Sequence, residues 1–142
     1  MPNDNKHKGH IAEYYACYKI AGEGYVPILI PHSQPFDVFA THPKTGHLIR
    51  IQVKSSNRLS TARGRKTLPH AYYWNLQIGI TKVDKYKFNE MELFALVNLE
   101  EELCAFMTAK EASRTPSKIT MRVSEMERYT FEKAINKLPS ST

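Results

Sequence analysis

The sequence predicts a single α/β domain with a mixed central sheet flanked by helices. Three observations lead there. A helix-forming stretch opens the 142-residue chain and is stopped by Gly22 and Gly24. Two strand-like runs, residues 36–41 and 47–54, flank the turn signal Pro43-Lys44-Thr45-Gly46. Continuous apolar runs at residues 93–97 and 103–107 then read as further strands, and a helical stretch closes the chain.

Taken in order, residues 1–6 are polar and expected to be loose, and the first helix runs from about Lys8 to Gly22. Residues 25–30 read as a strand, and Pro27 within it predicts an edge or a bulge, because proline cannot donate to the ladder. A tight hairpin on the 43–46 turn pairs His42 with His47, Ala40 with Ile49, Val38 with Ile51 and Asp37 with Gln52. This register gathers Val38, Ala40, Ile49, Ile51 and Val53 on one face, as a half-buried sheet requires. Asp37, Gln52 and Lys54 fall on the other face, with directly opposed residues roughly 5 Å apart at Cβ. Residues 55–69 are polar, basic and without periodicity, so they read as a loop, and structure resumes as a strand at 72–76. Residues 80–90 fit neither period. The acidic stretch 98–102 joins the two apolar strands, and Glu100-Glu101-Glu102 reads as a solvated turn. A short helix at 108–112, a strand at 119–123, a closing helix at 124–138 and a frayed tail at 139–142 complete the expectation.

Apolar residues make up 42% of the chain and charged residues 24%, a balance that suits a folded protein with a real core. The N-terminus leads into no apolar run, and no stretch is long or apolar enough to span a membrane. Cys17 and Cys104 lack metal-like spacing. A cytoplasmic protein with reduced thiols is expected. The net charge of +6 favours an anionic partner.

The open face of the hairpin joins a carboxylate, an amide oxygen and an ammonium. Phosphodiester hydrolysis needs positive charge on the scissile phosphate and an activated water, and a magnesium ion held by oxygen ligands supplies both. Asp37 is the obvious ligand, Gln52 offers a neutral carbonyl oxygen, and the Val53 backbone carbonyl is a further donor. Lys54 is suited to orient or deprotonate water, or to stabilise the pentavalent phosphate. Glu13 shares a helical stripe with Gly9, Ala16, Cys17 and Ile20, so it is expected to face protein and to need a partner. Arg58, Arg63, Arg65 and Lys66 follow the strand of Lys54 directly and suit phosphate contact. Tyr72, Tyr73 and Trp74 read first as core residues and second as base-stacking ones. His42 with His47, and His7 with His10, form pairs without a third ligand, which argues against zinc.

Lys8-Gly9-His10-Ile11-Ala12-Glu13, Phe36-Asp37-Val38 and Ile51-Gln52-Val53-Lys54-Ser55 together resemble the PD-(D/E)XK nuclease superfamily. The Lys-Gly-x-x-x-Glu opening is similar to that of archaeal Holliday-junction resolvases. The Gln-x-Lys ending is similar to the branch containing an intron-encoded homing endonuclease. The resemblance implies a restriction-endonuclease-like fold and an Mg²⁺-dependent DNA endonuclease, with Mn²⁺ as substitute. It implies Glu13 and Asp37 as metal-site acids, Gln52 in place of the usual acid, and Lys54 as the catalytic lysine. Phe36 stands where the family name has proline, and Gln52 removes one negative charge. The alternatives are a catalytically silent DNA-binding module on the same fold and a junction-resolving nuclease. DNA is the expected partner, with Lys8 joining the basic residues that contact it. One site per chain predicts a homodimer or a dimer of dimers. The later strands and the closing helix, with Met126, Tyr129, Phe131 and Ile135, are the expected contact surface.

Overall fold

The structure is a computed structural model and describes residues 4–31, 36–60, 67–76, 91–114 and 117–139. Helix α1 spans Asp4–Gly22, so it starts inside the segment expected to be loose. Strands β1 (Val26–Leu29), β2 (Val38–Thr41), β3 (Leu48–Ser55), β6 (Leu93–Asn98) and β7 (Leu103–Thr108) form one sheet in the order β1-β2-β3-β6-β7. The β3–β6 pair is parallel and the others antiparallel, which makes this sheet mixed as expected. Strands β4 (Asn57–Ser60), β5 (Thr67–Asn75) and β8 (Lys118–Arg122) form a second, three-stranded sheet.

The hairpin register follows the sequence reading from His42–His47 to Val38–Ile51, but the ladder ends there: the Asp37 N–H donates to the Ile51 carbonyl instead of pairing Asp37 with Gln52. Val38 pairs with Ile51 and Ala40 with Ile49, and the His42 N–H donates to the His47 carbonyl at 2.9 Å. The turn between them is held by the His42 side chain, whose Nδ1 accepts from the Lys44 and Thr45 N–H groups at 3.2 Å each. Gly46 takes φ of 72°, a left-handed conformation that glycine adopts without a steric cost. Among the described residues β1 pairs only with β2, so Pro27 lies on an edge strand, where its missing donor costs no ladder bond. β6 lies between β3 and β7 and is buried on both faces throughout, which is why its sequence is a continuous apolar run.

Two buried clusters lie on opposite faces of the main sheet. Ala12, Ala16 and Ile20 of α1 pack on Val38, Ala40, Ile49, Ile51 and Val53. The three helix residues recur every four positions, and the two alanines allow helix and sheet to approach closely. Leu93, Ala95 and Val97 extend this cluster across β6, and Phe131 and Ala134 close it. Phe94 and Leu96 point the other way, into a cluster with Phe36, Tyr72, Trp74, Leu76 and Met121. That second cluster is the joint between the two sheets. Trp74 is fully buried there and donates Nε1–H to the Val97 carbonyl at 3.0 Å.

Several expectations need correction. The stretch read as loop at 55–69 contains β4 and the start of β5, because polar residues of a second sheet carry no apolar alternation. The closing helix is broken into α3 (Val123–Met126) and α4 (Phe131–Asn136). Thr130 caps α4 by accepting from the Lys133 N–H, while the Tyr129 carbonyl turns aside to accept the Phe106 N–H at 2.8 Å. The short helix α2 (Ala109–Ala112) is capped by Thr108 as expected, through a capping box with Glu111. The Glu100–Glu102 run is not simply solvated. Arg58 pairs with Glu100, and the Tyr72 hydroxyl donates to Glu101 Oε2 at 2.7 Å. Met126 and Phe131 are only 3% and 4% exposed, so these two complete this chain's core and do not serve as contact surface, while Tyr129 and Ile135 are half-buried. Residues 80–90 lie outside the described residues.

Candidate active site

Asp37 stands at the entrance to β2, wedged between two strands. Its N–H donates to the Ile51 carbonyl and its carbonyl accepts from the Ile30 N–H, both at 2.9 Å. Its side chain then reaches along β3, where Oδ2 accepts the Val53 N–H at 2.8 Å. The backbone of Asp37 is thereby fixed by strands on both sides, and its carboxylate is oriented by the Val53 N–H. Within a strand a residue's N–H and C=O point to the same side, so the Val53 carbonyl is directed toward Asp37 as well.

Gln52 and Lys54 pair in register with Phe94 and Leu96 and so share the face opposite Val53. Gln52 is only 7% exposed, and among the described residues its buried Oε1 has no hydrogen-bond partner. Buried amide oxygens are nearly always satisfied, and each exception calls for a cause. Burial depresses the Lys54 ammonium to about 8 from 10.5, against an upward pull from the Asp37 carboxylate. A lysine in that range exchanges its proton near neutral pH.

Glu13 projects from α1, which covers the Val53 face. Its side chain is 17% exposed and lies 3.8 Å from His10 Nδ1. Burial raises the Cys17 thiol, and the nearby Glu13 carboxylate adds to the rise. The structure joins Asp37 to Val53 by a hydrogen bond and to Lys54 by charge, and Gln52 shares the face of β3 that carries Lys54. Glu13 is half-buried as its stripe predicted, but it lies on the helix that covers the Val53 face, the opposite side of the sheet from Gln52 and Lys54. Among the described residues no three His, Cys, Asp or Glu side chains converge. A cation at this site would thus rely on the Gln52 and Val53 oxygens as well as on carboxylates. That donor set is all oxygen and includes one orphaned oxygen, and it fits a hard divalent ion.

The basic residues divide. Arg58 sits exposed on β4, where its Nε–H donates to Glu100 Oε2 at 2.9 Å. Lys8 donates from Nζ to the Ser56 carbonyl at 2.5 Å. Arg63, Arg65 and Lys66 lie outside the described residues. Tyr72 and Trp74 are core residues, while Tyr73 carries the Lys118 ammonium 4.1 Å from its ring centroid. The partners Glu100 and Glu101 were missed in the sequence. They lie 42 and 29 positions from Arg58 and Tyr72, and no local pattern announces such a contact.

Comparison with known proteins follows the same lines. No curated protein matches the chain by sequence. Among solved structures, a bacterial homing endonuclease, I-Ssp6803I, superposes with a TM-score of 0.69 at 16% identity, covering 92% of this chain and 89% of that one. A Holliday junction resolvase from Archaeoglobus fulgidus, Hjc, superposes with a TM-score of 0.53 at 16% identity, covering 94% and 99%. The central mixed sheet with flanking helices matches the restriction-endonuclease-like arrangement of both. A PD-(D/E)XK endonuclease family model matches residues 3–137, nearly the whole length. The chain belongs to the PD-(D/E)XK endonuclease family.

Proposed function

We propose that this chain is an Mg²⁺-dependent DNA endonuclease that hydrolyses phosphodiester bonds, with Mn²⁺ able to substitute. The observation that carries it is the buried Gln52 Oε1, which has no hydrogen-bond partner among the described residues, beside the Asp37 contacts to Ile51 and Val53. Leaving such an oxygen without a donor costs about 1–3 kcal/mol, which a bound cation would offset. Asp37, Glu13, Gln52 Oε1 and the Val53 carbonyl are the residues that would hold the ion. When bound, it would supply positive charge to the scissile phosphate and acidify a nearby water.

The chain's own residues do the rest. The Val53 N–H holds the Asp37 carboxylate in one orientation. Lys54, its ammonium depressed to about 8 by burial, orients the attacking water and exchanges a proton with it. Arg58, Arg63, Arg65 and Lys66 engage phosphates, giving affinity without sequence reading. The working form is a homodimer or a dimer of dimers, since two strands call for two sites. Exposed Ile11, Tyr14 and Tyr18 on α1, and Val26 and Ile28 on β1, supply apolar surface for that contact. Structure-specific cutting of branched DNA is the second reading, favoured by the fold likeness to the resolvase.

The test is a panel of plasmid, linear duplex, single-stranded and four-way-junction DNA, with and without Mg²⁺ or Mn²⁺. Metal-dependent cleavage is expected, lost in Asp37→Ala and Lys54→Ala while DNA affinity stays within several-fold. Preference for the junction would select the resolving activity. No cleavage of any substrate by the wild type would leave a silent DNA-binding module.

A further inference from the structure

The bond from Lys8 to Ser56 has a mechanical consequence. Ser56 is the residue at which the chain leaves β3 for β4, two positions beyond Lys54, and it is 4% exposed. Its N–H donates to the Val97 carbonyl at 2.9 Å, the same oxygen that accepts from buried Trp74. The Ser56 peptide is thus anchored to β6 through its N–H. Lys8 takes its carbonyl at 2.5 Å, which ties α1 to that anchor across 48 residues.

A second tether lies farther along the helix, where the Tyr15 hydroxyl donates to the Glu102 carbonyl at 2.6 Å. Lys8 and Tyr15 are seven positions apart, about two helical turns, and so lie on one side of α1. Glu13 falls between them. The apolar contacts of α1 with the sheet are made by Ala12, Ala16 and Ile20, and burial of apolar surface is non-directional, so by itself it does little to set the helix along its axis. Directional hydrogen bonds at both ends of the segment do so.

We propose that Lys8 is a positioning residue: by clamping the Ser56 carbonyl it sets α1, and with it Glu13, against the strand that carries Gln52, Val53 and Lys54. This rests on the metal-site assignment made above. It also reassigns Lys8 away from phosphate contact, because its ammonium is committed to a protein carbonyl.

The experiment compares wild type with Lys8→Met, which keeps the stem, Lys8→Gln, which keeps a donor too short to span, and Lys8→Arg, which keeps donor and length. Thermal melts first establish that each is folded. Mn²⁺ affinity is then measured by calorimetry without DNA, DNA affinity against salt in EDTA, and kcat and KM on the substrate the wild type cuts. Lys8→Met and Lys8→Gln should lose about 10-fold in Mn²⁺ affinity, as outer residues of metal sites do. Their kcat should fall by a similar factor, with KM and the salt slope unchanged and Lys8→Arg near wild type. Unchanged Mn²⁺ affinity and kcat, with a salt slope reduced by about one, would make Lys8 a phosphate contact and overturn the positioning role. If the wild type itself binds no Mn²⁺, the metal-site assignment fails, and the positioning role fails with it.

Discussion

Replacing Lys54 with methionine should make the folded chain more stable while ending cleavage. The ammonium is partly buried at the end of β3, and burial outweighs the pull of Asp37 to bring it from 10.5 down to about 8. At about 1.4 kcal/mol per pH unit, that difference is roughly 3 kcal/mol against folding with the lysine charged, and it is already net of the attraction to Asp37. Water reaching the exposed part of the group reduces it, so a gain of about 1–2 kcal/mol at pH 7 is expected for Lys54→Met. For a chain of this size that raises Tm by about 3–8 °C. The sign with pH follows from linkage. Below about pH 8 the folded and unfolded chains both hold the proton, and the wild type bears the whole penalty. Between about 8 and 10.5 the folded chain releases its proton while the unfolded chain keeps it, so wild-type stability rises relative to the variant. Denaturation of both proteins in EDTA from pH 6 to 10.5 should show a gap that is constant at first and then closes. A variant less stable at pH 7, or a gap that does not change across the upper window, would refute the burial penalty.

Gln52→Glu should lower Tm in EDTA, because a carboxylate replaces a neutral buried amide, and should show a larger rise in Tm on adding Mn²⁺. Glu100→Gln should strengthen DNA binding by about 2- to 5-fold at low salt, since an exposed pair holds Arg58 by no more than about 1 kcal/mol, and filter binding against salt measures it. Glu92→Gln should destabilise by about 1–2 kcal/mol in urea denaturation, as Arg50 would lose the carboxylate charge and one of the two acceptor oxygens that join β3 to the start of β6. Tyr14→Glu combined with Tyr18→Glu should dissociate the assembled form in sedimentation without lowering Tm, because both rings are exposed on α1 at 65% and 71%.

The architecture around the candidate site was legible because its signals are local. Alternation along residues 38–53 tells which side chains face inward, and a one-residue slip would reverse every one of them, so the hairpin had a single acceptable register. Pro27 marked the edge strand, and the unbroken apolar run of β6 marked a strand covered on both sides. These patterns also put Gln52 and Lys54 on one face of β3. The stripe that turns Glu13 inward was read from helical spacing alone.

Only the tertiary structure decided the polar partnerships. β4 pairs with β5, and β5 with β8 more than 40 positions onward, and no local pattern says which strand pairs with which across that distance. The single closing helix was the natural reading of residues 124–138, yet the Phe106 N–H at the side of β7 takes the Tyr129 carbonyl and breaks it. Arg58 looked like a free phosphate ligand until Glu100 was seen beside it, and Lys8 until it was seen on Ser56. Apolar faces repeat with the period of the backbone, so sequence determines them. A hydrogen bond between residues 40 or 50 positions apart depends on how whole elements dock, so it is settled only when the chain is folded.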